Sequence, residues 1–403
     1  MARVISVEEA LRIIASAVTP GPPEEIRVAS GGGRVLADDL VADVDWPPFD
    51  TSAMDGFAVR LADLGRRGAT LPEGATAVMA GDPPPPPLAE GETMRVMTGA
   101  PLPAGADAVV PVEDAQRDEG GVAFPSVPVQ GAHIRRRGES IARGTKLGSA
   151  GERLTSSAVA LAAFAGADPL RVGALPPIVI VATGNELVDP SARPGLGQLR
   201  DSNGPMLLSL CRARGWPAEL AARASDDRRA VDSLFDSVRS RQILLTSGGV
   251  SAGELDLLPE AARRSGFEIL FHHVAIQPGK PVVFARRAEA FWFGLPGNPV
   301  SSAVGFHVFV RYALDRLEGS ACPGAPRVTA RLTRALRVSG SREVYRDAVW
   351  RIENGASVVE PLATRGSHDL AAHARSNALI RVPLGAGSLP EGALVECLVI
   401  EER

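Results

Sequence analysis

Apolar positions at helical spacing open the chain. Ala10, Leu11, Ile14 and Val18 follow Ser6, with Glu9 three residues after the serine as in a capping box, and predict a helix that Pro20-Gly21-Pro22-Pro23 ends. From Ile26 to about Gly144 the pattern changes to short β-like runs, at 56–59, 93–97 and 108–112, separated by Gly, Pro and Asp. Pro83 to Pro87 cannot donate to a sheet ladder and are expected to form an extended surface loop. A second capped helix is predicted over 155–165, closed by Asp168-Pro169.

Past Pro176-Pro177, buried-looking strands at 178–182, 243–246, 282–285 and 290–295 alternate with helices at 205–214 and 300–317. Such alternation predicts a mostly parallel sheet covered on both faces, a three-layer α/β/α domain. Cys322-Pro323-Gly324 opens another change, and β-prone segments at 328–332, 344–352, 378–382 and 394–400 read as a small β domain. The expected fold is therefore multidomain α/β plus β. Residues 1–45 with 141–176 form a helical and linker part, 46–140 an inserted β-rich domain, 177–322 the α/β domain and 323–403 the C-terminal β domain.

Composition narrows the function classes. A chain of 403 residues exceeds what one core organises, and 33 prolines with 42 glycines favour turns over long helical arrays. The net charge of -4, with no long run of one sign, gives no electrostatic support to a nucleic-acid grip. Cys211, Cys322 and Cys397 show no paired spacing, which fits free thiols and excludes the common zinc patterns. The start, Met-Ala-Arg-Val-Ile-Ser-Val-Glu-Glu-Ala, lacks the apolar stretch of a signal peptide, and no apolar run reaches the roughly 18 residues of a membrane span, so a cytoplasmic protein is expected. Nearly all basic residues are arginine; the lysines are Lys146 and Lys280.

The candidate chemistry lies where strands of the α/β domain run into glycine loops, because ligands of open α/β sheets bind at those ends. The first junction is Thr183-Gly184, with Glu186 following. Asp201-Ser202-Asn203 then precedes a helix, either as its cap or as a ligand-facing N-terminus with Asp201 helping to hold a metal. The third, Thr246-Ser247-Gly248-Gly249-Val250-Ser251, lets backbone approach a phosphate, and Glu254 and Asp256 beside such a phosphate suggest an intervening Mg²⁺. Lys280, in Gln277-Pro278-Gly279-Lys280-Pro281, offers a point charge for an oxyanion. Pro296-Gly297-Asn298-Pro299, with Ser301 and Ser302 close behind, opens another helix at the sheet edge. His272 and His273 have no metal-ligand partner spacing. The conjunction of these junctions predicts a phosphorylated, anionic ligand bound with a divalent metal ion.

Together, Thr-Gly-Asn-Glu-Leu at 183–187, Asp-Ser-Asn at 201–203, the Thr-Ser-Gly-Gly-Val-Ser loop, Pro-Gly-Lys-Pro at 278–281 and Leu-Pro-Gly-Asn-Pro-Val-Ser at 295–301 resemble the molybdopterin molybdenumtransferase family, to which gephyrin's C-terminal region is similar. The resemblance extends to 47–58, 97–103 and 366–368 and so covers essentially the whole chain. It implies an elongated homodimer whose active site is shared between subunits. It also implies a reaction in which molybdenum from molybdate enters adenylylated molybdopterin and AMP is released with Mg²⁺ assistance. By resemblance Asp55, Thr98, Glu186, Asp201, Asp256 and Lys280 match active-site positions, with Glu186, Asp201 and Asp256 as the metal's carboxylates. Asp55 and Thr98 would come from the second subunit. The glycine loops would hold the pterin-side phosphate and nucleotide, and other proteins of the cofactor pathway are possible partners.

Two positions depart from the family pattern: Ser140 stands where many members carry an aspartate, and Gln277 where a second basic residue is frequent. Two other readings compete with metal insertion. One is adenylylation of molybdopterin, whose enzymes resemble only the α/β portion; the other is a non-catalytic scaffold, against which the clustered carboxylates beside an anion site argue.

Overall fold

The computed structural model describes residues 3–65, 68–224, 227–250, 257–338 and 340–401. The chain divides into two compact units, one of Met1–Asp38, Ala150–Ser156 and Pro169–Arg403, the other of Asp39–Ser149 and Ser157–Asp168. Among the described residues no helix is long and apolar enough to cross a membrane.

The first unit is built on a seven-stranded sheet. Its elements are, in chain order, β1 (Val4–Ile5), α1 (Val7–Ala17), β2 (Ile178–Ala182), α2 (Asn203–Arg212), β3 (Ala218–Leu220), α3 (Arg228–Ser237), β4 (Ile243–Ser247), α4 (Leu257–Arg264), β5 (Glu268–Val274), β6 (Pro281–Arg287) and β7 (Ala290–Leu295). The strand order is β1-β5-β6-β7-β4-β2-β3. Only β6 opposes its neighbours, so β2, β4, β5 and β7 all end at one edge of the sheet.

Both faces of the sheet are covered, which is why its strands read as continuous apolar runs. Side chains alternate across a strand. Ile178, Ile180, Ile243, Leu245 and Phe293 accordingly pack with Ile14 of α1 and Leu207 of α2. The intervening Val181, Leu244 and Trp292 pack on the other side with Val231 and Phe235 of α3 and Leu258 of α4. Helix α1 begins as expected, with the Ser6 hydroxyl accepting the Glu9 N–H at 3.0 Å. The Glu9 carboxylate reaches Arg3 (3.3 Å), giving a capping box with a different second arm.

The predicted helix at 300–317 is α5 (Pro299–Gly305) and α6 (Arg311–Leu317) joined through a π turn at Phe306–Val310. His307 in that turn is buried, and its Nδ1 has no hydrogen-bond partner among the described residues. Burial, then the charges of Arg311 and His373, push its pKa down to about 3. The unfolded chain takes up this proton near pH 6.5, whereas the folded chain does so only near 3, so stability falls as pH drops through that window. Urea titrations are expected to show His307→Gln losing about 2 kcal/mol of the wild-type destabilisation between about pH 7 and about pH 5. An unchanged slope in the variant would refute the assignment.

Strands β8 (Arg327–Leu332), β9 (Glu343–Glu353), β10 (Ala356–Pro361), β11 (Ala378–Val382) and β12 (Leu394–Val399) form the C-terminal part of this unit. β11 pairs back onto β9, closing the five strands into a small barrel around Ala330, Val344, Val359, Ile380 and Cys397. A two-residue strand, Ile276–Gln277, adds to the start of β9 and ties the turn before β6 to the barrel.

The second unit contains the expected short strands. Met94–Val96, Gly56–Val59 and Ala108–Pro111 form one sheet, and Ala69–Leu71, Gly121–Phe124 and Gln116–Asp118 another. Phe57 and Phe124 meet edge to face, their ring centroids 6.0 Å apart, in its core. Pro83 to Pro87 belong to no strand, and all but the half-buried Pro85 are exposed.

Candidate active site

At the edge where β2, β4 and β7 end, their loops surround a cleft of about 920 Å³. The β2 loop contributes Thr183, Gly184 and Glu186; the segment entering α2 contributes Asp201, Ser202 and Asn203. Ser247, Gly248 and Gly249 come from the β4 loop, and Pro296, Gly297 and Asn298 from the β7 loop. Four junctions, from Thr183 to Asn298 along the chain, thus open on one cavity.

Hydrogen bonds lock these loops to each other. Thr183 N–H donates to Ser247 O (3.0 Å), and Gly248 N–H to Leu295 O (3.0 Å). The Asn203 amide donates to both Ser247 Oγ (2.7 Å) and Gly297 O (2.7 Å), clamping the start of α2 to two loops. Its own oxygen, Oδ1, is buried with no partner among the described residues. A buried acceptor left unpaired is costly, and this one belongs to a residue that lines the cleft.

Among the described residues, the two carboxylates of the cleft differ in setting. Asp201 is 5% exposed, and its Oδ1 accepts the Gly204 N–H at 2.9 Å, so the capping role expected for it is formed. Glu186 folds back over Gly184, where a side chain on residue 184 would come within 2.6 Å of both carboxylate oxygens. Among the described residues no group of three or more His, Cys, Asp or Glu side chains is arranged to hold a metal. Two carboxylates do suit Mg²⁺, which commonly takes one or two protein carboxylates and completes its shell with water and substrate phosphate. Ser251 and Asp256, the remaining candidates of the β4 loop, lie outside the described residues.

Three expected residues sit away from the cleft lining. Thr246 is fully buried, accepting the Trp292 indole N–H at 3.0 Å, and Ser301 is buried in α5. Lys280 is exposed on its turn, while the adjacent Pro281 lines the cleft and Gly279 abuts Ser301 and Pro296. The neighbouring Gln277 takes a long contact from Arg342 at 3.5 Å, so a guanidinium stands beside the position that lacks a basic residue.

His368 and Arg200 also line the cleft. Neither was singled out as a site residue. Arg200 leaves no local signal, since it sits on a two-residue strand whose pairing with Leu187–Val188 is tertiary. Gly366-Ser367-His368 is delivered from the barrel side: Ser367 Oγ accepts from Asn298 (2.9 Å) and its carbonyl accepts the Val300 N–H (3.2 Å), one of the donors left open at the start of α5.

Asp55 and Thr98 belong to the second unit and form a pair there. Both the Thr98 hydroxyl and its backbone N–H donate to Asp55 Oδ1 at 2.7 Å. These two bonds, the hydroxyl's first, hold the exposed Asp55 carboxyl below the usual carboxylate range. In the same unit Glu139, next to the departure at Ser140, accepts the Arg136 N–H at 2.7 Å and closes a turn.

Residues 5–166 match the MoeA N-terminal region (domain I and II), residues 179–316 a probable molybdopterin binding domain, and residues 329–400 the MoeA C-terminal region (domain IV). A Mycobacterium tuberculosis protein named molybdopterin molybdenumtransferase 2 is 34% identical over 390 residues, covering 94% of this chain and 95% of that one. A Synechococcus elongatus molybdopterin molybdenumtransferase is 37% identical over 321 residues, 76% of this chain and 79% of its own. The crystal structure of a Pyrococcus horikoshii molybdopterin biosynthesis MoeA protein superposes with a TM-score of 0.81 at 28% identity, covering 100% of both chains.

Proposed function

The chain belongs to the MoeA family of molybdopterin molybdenumtransferases, and from that membership we propose how its cleft performs the reaction. The protein is a transferase of molybdenum cofactor biosynthesis and inserts molybdenum into molybdopterin. In the proposed reaction the molybdopterin is adenylylated, molybdate is the metal donor, and AMP leaves. The observation that carries this reading is the convergence of three glycine loops and the start of α2 on one cleft, clamped by Asn203. Backbone amides at such junctions favour phosphate oxygens without any side-chain charge.

Each cleft residue has a task in that scheme. The Gly249 amide takes a phosphate, the Gly248 N–H beside it holding the loop to Leu295 O. The unpaired Asn203 oxygen accepts an N–H or O–H of the ligand. Lys280 on the turn beside Pro281, and Arg342, which reaches Gln277 from just before β9, draw in the molybdate anion. Glu186 and Asp201, with Asp256, would hold Mg²⁺, which would neutralise charge on the departing phosphate. Preorganised donors aimed at that charge supply most of the effect. Assembly into a homodimer, with Asp55 and Thr98 contributed by a second copy, and a cytoplasmic location complete the proposal.

Purified protein given adenylylated molybdopterin, Mg²⁺ and molybdate is expected to release AMP only when molybdate is present. Molybdate-independent release, or none, refutes the assignment. Formation of adenylylated product from ATP and molybdopterin would point instead to the preceding step.

A further inference from the structure

The β4 loop is held at Val250 by a histidine from another strand. His272 Nε2 lies 3.0 Å from Val250 O. A carbonyl only accepts, so Nε2 carries the hydrogen. We infer that His272 is a positioning residue of the transferase, fixing the Val250 carbonyl so that the glycine loop, tied to Leu295 O through the Gly248 N–H, presents the Gly249 amide to the ligand's phosphate. This inference rests on the function proposed above.

Three further observations support it. First, β5 is irregular at this point: its register with β6 shifts between Ile269 and Phe271 and again between Phe271 and His273. Successive side chains of a regular strand point to opposite faces, yet the His272 and His273 rings stack with centroids 4.3 Å apart and planes at 26°. Bulges of this kind re-aim a side chain beside functional sites. Second, Gly248 and Gly249 have φ of +99° and +64°, a left-handed pair with no side chains of its own to anchor it. Third, Val250 is pinned by packing as well. It is 1% exposed, and its Cγ1 occupies the space over Gly294, 2.6 Å from where a β-carbon would stand. Side chain and carbonyl of one residue thus fasten the loop to β7 and to β5.

The test compares His272→Phe, which keeps a ring and loses the donor, with His272→Gln, whose amide nitrogen reaches a similar place. His272→Phe is expected to raise KM for adenylylated molybdopterin about tenfold while kcat changes less than about threefold, and His272→Gln to recover KM to within about threefold. In ligand-free full-length protein, amide exchange across 247–250 is expected to accelerate in the phenylalanine variant and return in the glutamine variant. Unchanged KM and exchange in His272→Phe overturn the inference. So does a glutamine variant that rescues neither. If the wild type releases no AMP, the reaction assignment fails, and the exchange comparison still decides the role of His272.

Discussion

Asp201→Asn is expected to lower AMP release about a hundredfold or more while leaving the melting temperature within a degree or two of wild type. Asparagine keeps an oxygen where Asp201 Oδ1 accepts the Gly204 N–H, so the cap at the start of α2 survives and only the charge is lost. Asp201→Ala removes both and is expected to add about 1 kcal/mol of destabilisation to the same loss of activity. The comparison separates two roles that one side chain fills. A carboxylate only 5% exposed is an expensive way to cap a helix, since burying charge costs more than burying an amide. Function is the better reason for keeping it. The variant is also expected to need more Mg²⁺ for half-maximal rate. An asparagine variant with near wild-type turnover would confine Asp201 to capping.

Gly248→Ala is expected to weaken binding of adenylylated molybdopterin by at least about a hundredfold and to lower stability by about 1 to 3 kcal/mol. Its φ of +99° is strained for any residue with a β-carbon, and that carbon would stand 2.5 Å from Thr183 O. Thr183 cannot withdraw freely, because its own N–H is bound to Ser247 O. The two loops would have to part, opening the floor of the cleft. Gly249→Ala meets chiefly the end of the Leu258 side chain, which can rotate, at a φ nearer the ordinary left-handed region. It is expected to be the milder lesion in both calorimetry and ligand titration. Equal binding by the Gly248 variant and the wild type would remove the phosphate role of this loop.

Much of this architecture was legible because its signals are local. Continuous apolar runs ending in glycine marked β2, β4 and β7, and the Ser6 cap marked α1. Short elements were not. β1 has two residues and exists through parallel pairing to β5, and β3 likewise depends on β2. α3 and α4 carry strong amphipathic patterns but lie in arginine-rich, mostly polar stretches in which no element is predicted from sequence. At the site, the converging junctions identified most of the lining because glycine, asparagine and proline at strand ends have few other uses. Arg200 and His368 reach the cleft by tertiary placement, which no spacing encodes. Asp55 and Thr98 were singled out only through family resemblance, since an aspartate before a glycine otherwise reads as a turn, and their hydrogen bond across 43 positions leaves no local signal.

The scarcity of lysine makes the molecule unusually simple to address chemically. Of its two side-chain amines, Lys146 is paired with Asp39 at 2.8 Å in the second unit, whereas Lys280 stands exposed on the turn beside the cleft in the first. Apart from the α-amine of the chain's start, an amine-reactive dye therefore labels one side chain in each unit. With Lys146→Arg, which keeps the ion pair to Asp39, the side-chain label is confined to Lys280. Its emission would then follow occupancy of the cleft through the quenching or shielding that a bound anion brings.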